Sequence, residues 1–237
     1  VIGKMSGITT DRGEIDGLGL TTKVPNIDKA ILVEAFNQIL ISKIHFPKSE
    51  YSPLIDAFIQ KDNLLPFEEA KLYGHNATHA LAAYIGSILG VGRIAELPNM
   101  IGMMTFLRKA FIEESGAALI HRYQGFDPLF TLTGYTAYAN DLLDRMVNPY
   151  LADTVERVGR DVKRKLGWED RLVGTIRLAL AEGVTPERYA LGAAAAICRL
   201  NPAMLTNEIE PDGLLASVWV DHISDQQYPE VMGLIKS

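Results

Sequence analysis

An apolar stripe at three-four spacing runs through Ala70, Tyr73, Ala77, Ala80, Leu81, Tyr84, Ile85 and Leu89, and it constrains this chain more than any other feature. That period predicts an amphipathic helix over residues 67–89, stopped by Gly90-Val91-Gly92. Weakly polar, Ala- and Gly-rich stretches at 77–91 and 190–198 read as buried helices, since neither approaches the roughly 20 apolar residues of a membrane span. More helices are expected over 99–123, opened after Pro98, and over 127–147, with Asp127 as cap and Pro128 in the first turn. Asp153 is expected to cap a short helix through Arg157. Helices over 169–181, 185–199 and 212–223 and a short tail complete the chain.

The first 46 residues read differently. They are rich in Ile, Val and Thr with Gly punctuation and predict short strands, although Val33, Phe36, Asn37, Leu40 and Ile44 also fit a helical period over 31–44. Residues 45–53, with two prolines, are expected to be a loop, and the reading is helical almost throughout from Asp56 onward. The expected fold is therefore mainly α, a multihelical domain with a small N-terminal β element. No low-complexity linker divides residues 67–237, and no fixed-period repeat is visible.

Composition excludes several function classes. Across 237 residues, 48% hydrophobic content supplies a sizeable core, and a formal charge of -6 argues against a surface built for nucleic acid. Any anion site has to be local. One cysteine, Cys198, rules out an internal disulfide and any multi-cysteine zinc site, which fits a reducing compartment, with the cytoplasm as the expected location and no membrane partner. The opening Val1-Ile2-Gly3-Lys4-Met5 has neither an initiator Met nor the order of a secretory signal, and the expectation is a fragment of a longer polypeptide.

Chemistry concentrates in Lys71-Leu72-Tyr73-Gly74-His75-Asn76-Ala77-Thr78-His79. On an α-helix Lys71, His75 and His79 form a ridge, with Asn76 beside His79. Buried without a carboxylate partner, such a lysine would lose solvation and approach neutrality, which suits a general base. Asn and His beside it can donate to an oxygen that gains negative charge. The alternative is a solvated polar face. His75 and His79 also have the spacing of two metal ligands, but Asn-Ala-Thr between them lacks the Glu of the helical zinc motif, and His45, His121 and His222 cannot be placed as a third ligand. No metal is expected.

A second cluster sets Arg157, Arg160, Lys163, Arg164 and Lys165 within nine residues of an otherwise acidic chain. It suits a small anionic substrate, with Arg157 the most site-like because Val155 and Val158 flank it; a solvated charged helix is the alternative. Glu113-Glu114 reads as an exposed pair rather than a catalytic one. Gly90-Val91-Gly92 is not a dinucleotide loop, since position 95 is Ala and a helix precedes it; Gly17-Leu18-Gly19 fails as well.

Lys71-x4-Asn76-x2-His79 resembles the catalytic signature of the polyol-specific long-chain dehydrogenases, the mannitol dehydrogenase family. Glu113-Glu114-Ser115-Gly116-Ala117, Arg122-Tyr123, Asn148-Pro149-Tyr150-Leu151 and Val155-Glu156-Arg157-Val158-Gly159-Arg160 resemble in particular its branch acting on mannitol 1-phosphate. The resemblance runs in order from about residue 30 to at least 180. It implies NAD-linked oxidation of a secondary alcohol on a linear sugar, mannitol 1-phosphate to fructose 6-phosphate. Lys71 would be the base, Asn76 and His79 would hold and polarise the oxygen, and Arg157, with Arg160 and Lys163 as helpers, would bind the sugar phosphate. Mannitol or a hexuronate as substrate, and a non-catalytic helical interaction domain, are the alternatives. The family's N-terminal NAD-binding domain would be the partner within the full-length enzyme. Residues 1–45 would be its remnant or interdomain strands, and 46–237 the helical substrate domain. No NAD is expected on this chain alone, which should be inactive.

Overall fold

The computed structural model of the chain describes residues 5–33, 38–46, 49–50, 55–201, 203 and 212–237. They cluster into two units, one of residues 1–66 with 150–152 and one of 67–149 with 153–237. The first unit carries three two-stranded sheets. Strand β1 (Met5–Thr9) pairs antiparallel with β2 (Ala30–Val33). Helix α1 (Arg12–Gly17) lies between them in sequence, with Asp11 accepting from the Glu14 N–H as its cap. Strand β3 (Ile39–Ser42) pairs in parallel with β6 (Phe58–Lys61), and β4 (His45–Phe46) pairs antiparallel with β5 (Ser49–Glu50).

Short strands are thus the observed state where helix and strand competed over 31–44; Phe36 and Asn37 lie outside the described residues. Two expectations are corrected. The loop over 45–53 contains the β4–β5 pair, while 47–48 and 51–54 lie outside the described residues. Helix does not begin at Asp56, because Phe58–Lys61 finds the apolar Ile39-Leu40-Ile41 as a ladder partner, and pairing across the chain overrides a weak local signal.

The second unit is helical. After α2 (Leu65–Glu69) the chain passes through a π-helical turn (Ala70–Asn76) into α3 (Ala77–Ile88). A 3₁₀ turn (Ile94–Asn99) contains Pro98, and Gly102 at φ 79° reorients the backbone before α4 (Met103–Lys109). The helix expected to open at residue 99 therefore starts later. A second π turn (Ala110–Gly116) leads into α5 (Ala117–Arg122). Asp127 does cap, but only the 3₁₀ turn Pro128–Phe130; Thr131 caps α6 (Leu132–Met146) by accepting from the Gly134 N–H. Then come α7 (Val155–Gly159), α8 (Val162–Lys165), α9 (Val173–Ala181), α10 (Glu187–Leu200), α11 (Asp212–Val218) and α12 (Tyr228–Lys236). The last of these stands where only a tail was expected.

The core explains the small residues. Helices α3 and α10 pack together, Ala80, Ala83, Ala190, Ala193 and Ala196 are buried, and Gly192 lies so close to Leu81 that a Cβ there would stand 2.5 Å from its Cδ1. Trp168, Trp219 and Tyr228 form a second aromatic centre, in which the Trp219 indole N–H donates to the Leu166 carbonyl at 2.6 Å.

The two π turns face each other around Tyr135 of α6. A Cβ at Gly74 would lie 2.5 Å from the Tyr135 hydroxyl, and one at Gly116 would lie 2.8 Å from both the Phe111 carbonyl oxygen and the Tyr135 ring. Thr78 donates to the Gly74 carbonyl at 2.8 Å and Ser115 to that of Phe111 at 3.1 Å, and the Thr175 hydroxyl of α9 is shared between the carbonyls of Arg171 (2.6 Å) and Tyr73 (3.2 Å). The Tyr189 hydroxyl of α10 sits between Thr78 (2.8 Å) and Ser115 (3.2 Å).

Gly116→Ala is expected to destabilise the chain by about 1–3 kcal/mol, because the collision outweighs the helix-propensity gain of under about 1 kcal/mol. A lowered urea midpoint checks this, and an unchanged or raised one would refute it.

Candidate functional site

The π turn decides how the Lys71 signature is displayed. The Ala77 N–H reaches the Leu72 carbonyl, five residues back. In an α-helix a residue five along sits about 140° around the axis, whereas i→i+5 bonding brings it back toward the same side. Lys71 and Asn76, five apart, are thereby drawn together, and Asn76 and His79, three apart, are neighbours on the ordinary α-helix that follows. The spacing of five then three thus fits a π turn followed by an α turn, and His75 and His79 still share the ridge expected from the sequence. The His75 and His79 rings stack with centroids 6.0 Å apart and planes 9° apart. Lys71 itself is exposed, so the burial that would make its amine a base is not met by the described residues of this chain.

His79 meets an acid that the sequence reading assigned elsewhere. Asp153 is expected as a helix cap, but the cap of α7 is Thr154, whose hydroxyl accepts from the Arg157 N–H at 3.1 Å. The Asp153 carboxylate, which is 4% exposed, instead faces an imidazole and a guanidinium. Its Oδ2 lies 3.6 Å from His79 Nε2, and its Oδ1 accepts from Arg157 Nη2. The backbone explains the placement. Arg93 and Thr154 form an isolated antiparallel bridge, the Asp153 carbonyl accepts from the Ile94 N–H at 2.9 Å, and Val155 N–H donates to the Gly92 carbonyl at 3.0 Å. Ala152 just before it holds φ at +50°, where alanine is rarely found. Helix α7 is fastened from behind by the Tyr84 hydroxyl on the Gly159 carbonyl (3.2 Å) and by Arg199, which joins Ser87 to Glu156.

The loop after α3 thus has a structural use. Gly92 N–H and Arg93 N–H both donate to the Glu96 carboxylate, at 3.2 and 3.1 Å, so these amides already hold an anion. They do not fit a dinucleotide pyrophosphate, in accord with the missing third glycine.

The cation cluster separates into three kinds. Arg157 is half-exposed on Asp153, and burial, then Arg160, push its guanidinium below the usual value. Arg160 and Lys163 are exposed, with Arg160 Nε 3.8 Å from the Asp161 carboxylate, which Arg164 shares at 3.8 Å. Lys165 is the surprise: it is 3% exposed, its ammonium donates to the Arg160 carbonyl, and burial, with Arg171 and Arg164 nearby, lowers it to about 8. Nothing in its spacing distinguishes it from its exposed neighbours.

The acidic pair likewise splits. Glu113 is exposed, but Glu114 is buried at the start of α10, accepting from the N–H groups of Arg188 (2.9 Å) and Tyr189 (3.2 Å) and from the Arg188 guanidinium (3.0 Å). Burial outweighs these bonds and raises its carboxyl. Among the described residues no three His, Cys, Asp or Glu side chains converge as metal ligands. His121 binds Glu182 at 2.7 Å, and His222 stacks on Trp168.

Residues 63–229 match the mannitol dehydrogenase C-terminal domain family, most of the chain. The chain belongs to this family. Among solved structures, D-sorbitol dehydrogenase in substrate-free form matches with TM-score 0.61 at 17% identity, over 83% of this chain and 37% of that one. The Pseudomonas fluorescens mannitol 2-dehydrogenase, a ternary complex with NAD and D-mannitol, matches with TM-score 0.58 at 20% identity, over 89% of this chain and 45% of that one. This mannitol dehydrogenase C-terminal domain therefore spans less than half the length of either protein, and at such identities the likeness is one of fold. It agrees with the mainly α architecture expected from the sequence.

The buried ammonium of this domain has a measurable consequence. Between pH 10.5 and about 8 the unfolded chain protonates Lys165 before the folded chain does, so stability falls as pH falls through that window. Lys165→Met is expected to flatten this part of the stability profile in urea titrations at pH 8 and 10; an identical slope in variant and parent would place the ammonium in solvent.

Proposed function

We propose that this chain is the substrate-handling domain of an NAD-dependent polyol dehydrogenase and that mannitol 1-phosphate, oxidised to fructose 6-phosphate, is its substrate. The observation that carries the reading is the joining of two clusters far apart in sequence. The Lys71, Asn76 and His79 face meets Arg157 through the single carboxylate of Asp153.

In this reading Lys71 takes the hydroxyl proton, and Asn76 and His79 donate to the oxygen as it passes from alcohol to carbonyl. The nicotinamide accepts the hydride and is held by a separate N-terminal domain, since the glycine loop of this chain is occupied by Glu96. That domain also supplies the cover that desolvates Lys71, and residues 1–45 belong to its border. Arg157 anchors the far end of the sugar. Exposed Arg160 and Lys163 add positive potential, which favours a phosphate over a neutral polyol. Without the cofactor domain the 237 residues bind and orient but do not turn over.

Lys71→Ala in the full-length gene product is expected to lower kcat by about 10²–10⁴ with the fold retained by circular dichroism. Unchanged turnover removes Lys71 from the chemistry and favours a non-catalytic domain. The ratio of kcat/KM for mannitol 1-phosphate over mannitol tests the substrate, and a ratio at or below one would favour the neutral polyol.

A further inference from the structure

The Asp153 carboxylate faces both the polarising histidine and the anchoring arginine. We propose that Asp153 is a positioning residue that sets the separation of His79 and Arg157, and with it the span between the reacting carbon and the anchored end of the substrate. The inference rests on the reading that His79 and Arg157 handle a polyol.

Three observations support it. First, the carboxylate is buried, and a buried carboxylate is retained only where cations or donors compensate its desolvation. Here one oxygen faces the His79 imidazole of α3 and the other the Arg157 guanidinium of α7. Second, the backbone at residue 153 is fixed independently of the side chain, by the Ile94 and Val155 hydrogen bonds on either side of the Arg93–Thr154 bridge. The carboxylate is therefore a rigid reference point rather than a mobile counter-ion. Third, the capping duty that an Asp before a short helix would ordinarily perform has passed to Thr154, so the first turn of α7 is capped without this carboxylate.

The geometry distinguishes positioning from plain structural support. Losing the carboxylate removes one charged partner from Arg157 and one polar neighbour from His79, while the Arg93–Thr154 backbone bridge remains. Asp153→Asn in the full-length protein is expected to stay folded with a lowered melting temperature, to raise the substrate KM about 10–100-fold and to lower kcat less than that. In an Arg157→Ala background the same substitution is expected to change KM by under about threefold, because the group it positions is gone. Asp153→Glu, which keeps the charge, should restore part of the KM loss.

Equal KM effects in both backgrounds overturn the proposal, as does a failure of Asp153→Asn to fold, since the carboxylate would then hold the fold and not the site. A readout free of turnover keeps the two readings apart: the imidazole ¹⁵N signals of His79, assigned with His79→Gln, should shift in Asp153→Asn while amide signals away from residues 75–79 and 153–160 stay put. His79 signals that do not move overturn the positioning role. Signals that move in a protein with no polyol turnover support the positioning role and count against the proposed function instead.

Discussion

The helical unit is organised around its two π turns, each of which widens a helix. Thr78, Ser115 and Thr175 supply hydroxyls from the same helix or from α9, and the Tyr189 hydroxyl from α10 lies between two of them. Gly74 and Gly116 remove the side chains that would hold the turns away from Tyr135. Helices α3, α5, α6, α9 and α10 are thus tied to the segment that displays Lys71, and the geometry of that display is inherited from the core.

Asp153 plays the corresponding part for the charged residues. A loop that resembles a nucleotide-binding turn only in its glycines instead forms a short backbone bridge, and the bridge delivers one carboxylate between α3 and α7. In the proposed reading the reaction centre and the substrate anchor share that acid, so the length of substrate accepted is a property of the fold and not of flexible side chains.

Much of this was legible in the residues. The stripe over 67–89 marked the central helix, the Ala- and Gly-rich stretches marked two buried helices, and Thr-Pro and Gly signals located most helix ends to within a few residues. The strand at Phe58–Lys61 was hidden because its partner lies elsewhere in the chain. The π turns were hidden because hydrophobic periodicity averages over whole turns and hardly registers one extra residue, although the spacing of five in Lys71-x4-Asn76 carries it. Glu114 and Lys165 were read with their exposed neighbours Glu113 and Lys163, since a charged residue beside another of like sign gives no local sign of burial.

By itself the sequence determined the class of fold and the chemical types at the site: helical period, capping preference and the functional group of each side chain are local properties. Only the tertiary structure decided which charges are buried, which carbonyls accept from a hydroxyl, and that Asp153 faces His79 and Arg157 instead of capping α7. Those outcomes depend on groups brought together from residues 79, 94, 153 and 157, and no short-range pattern encodes the distance between them.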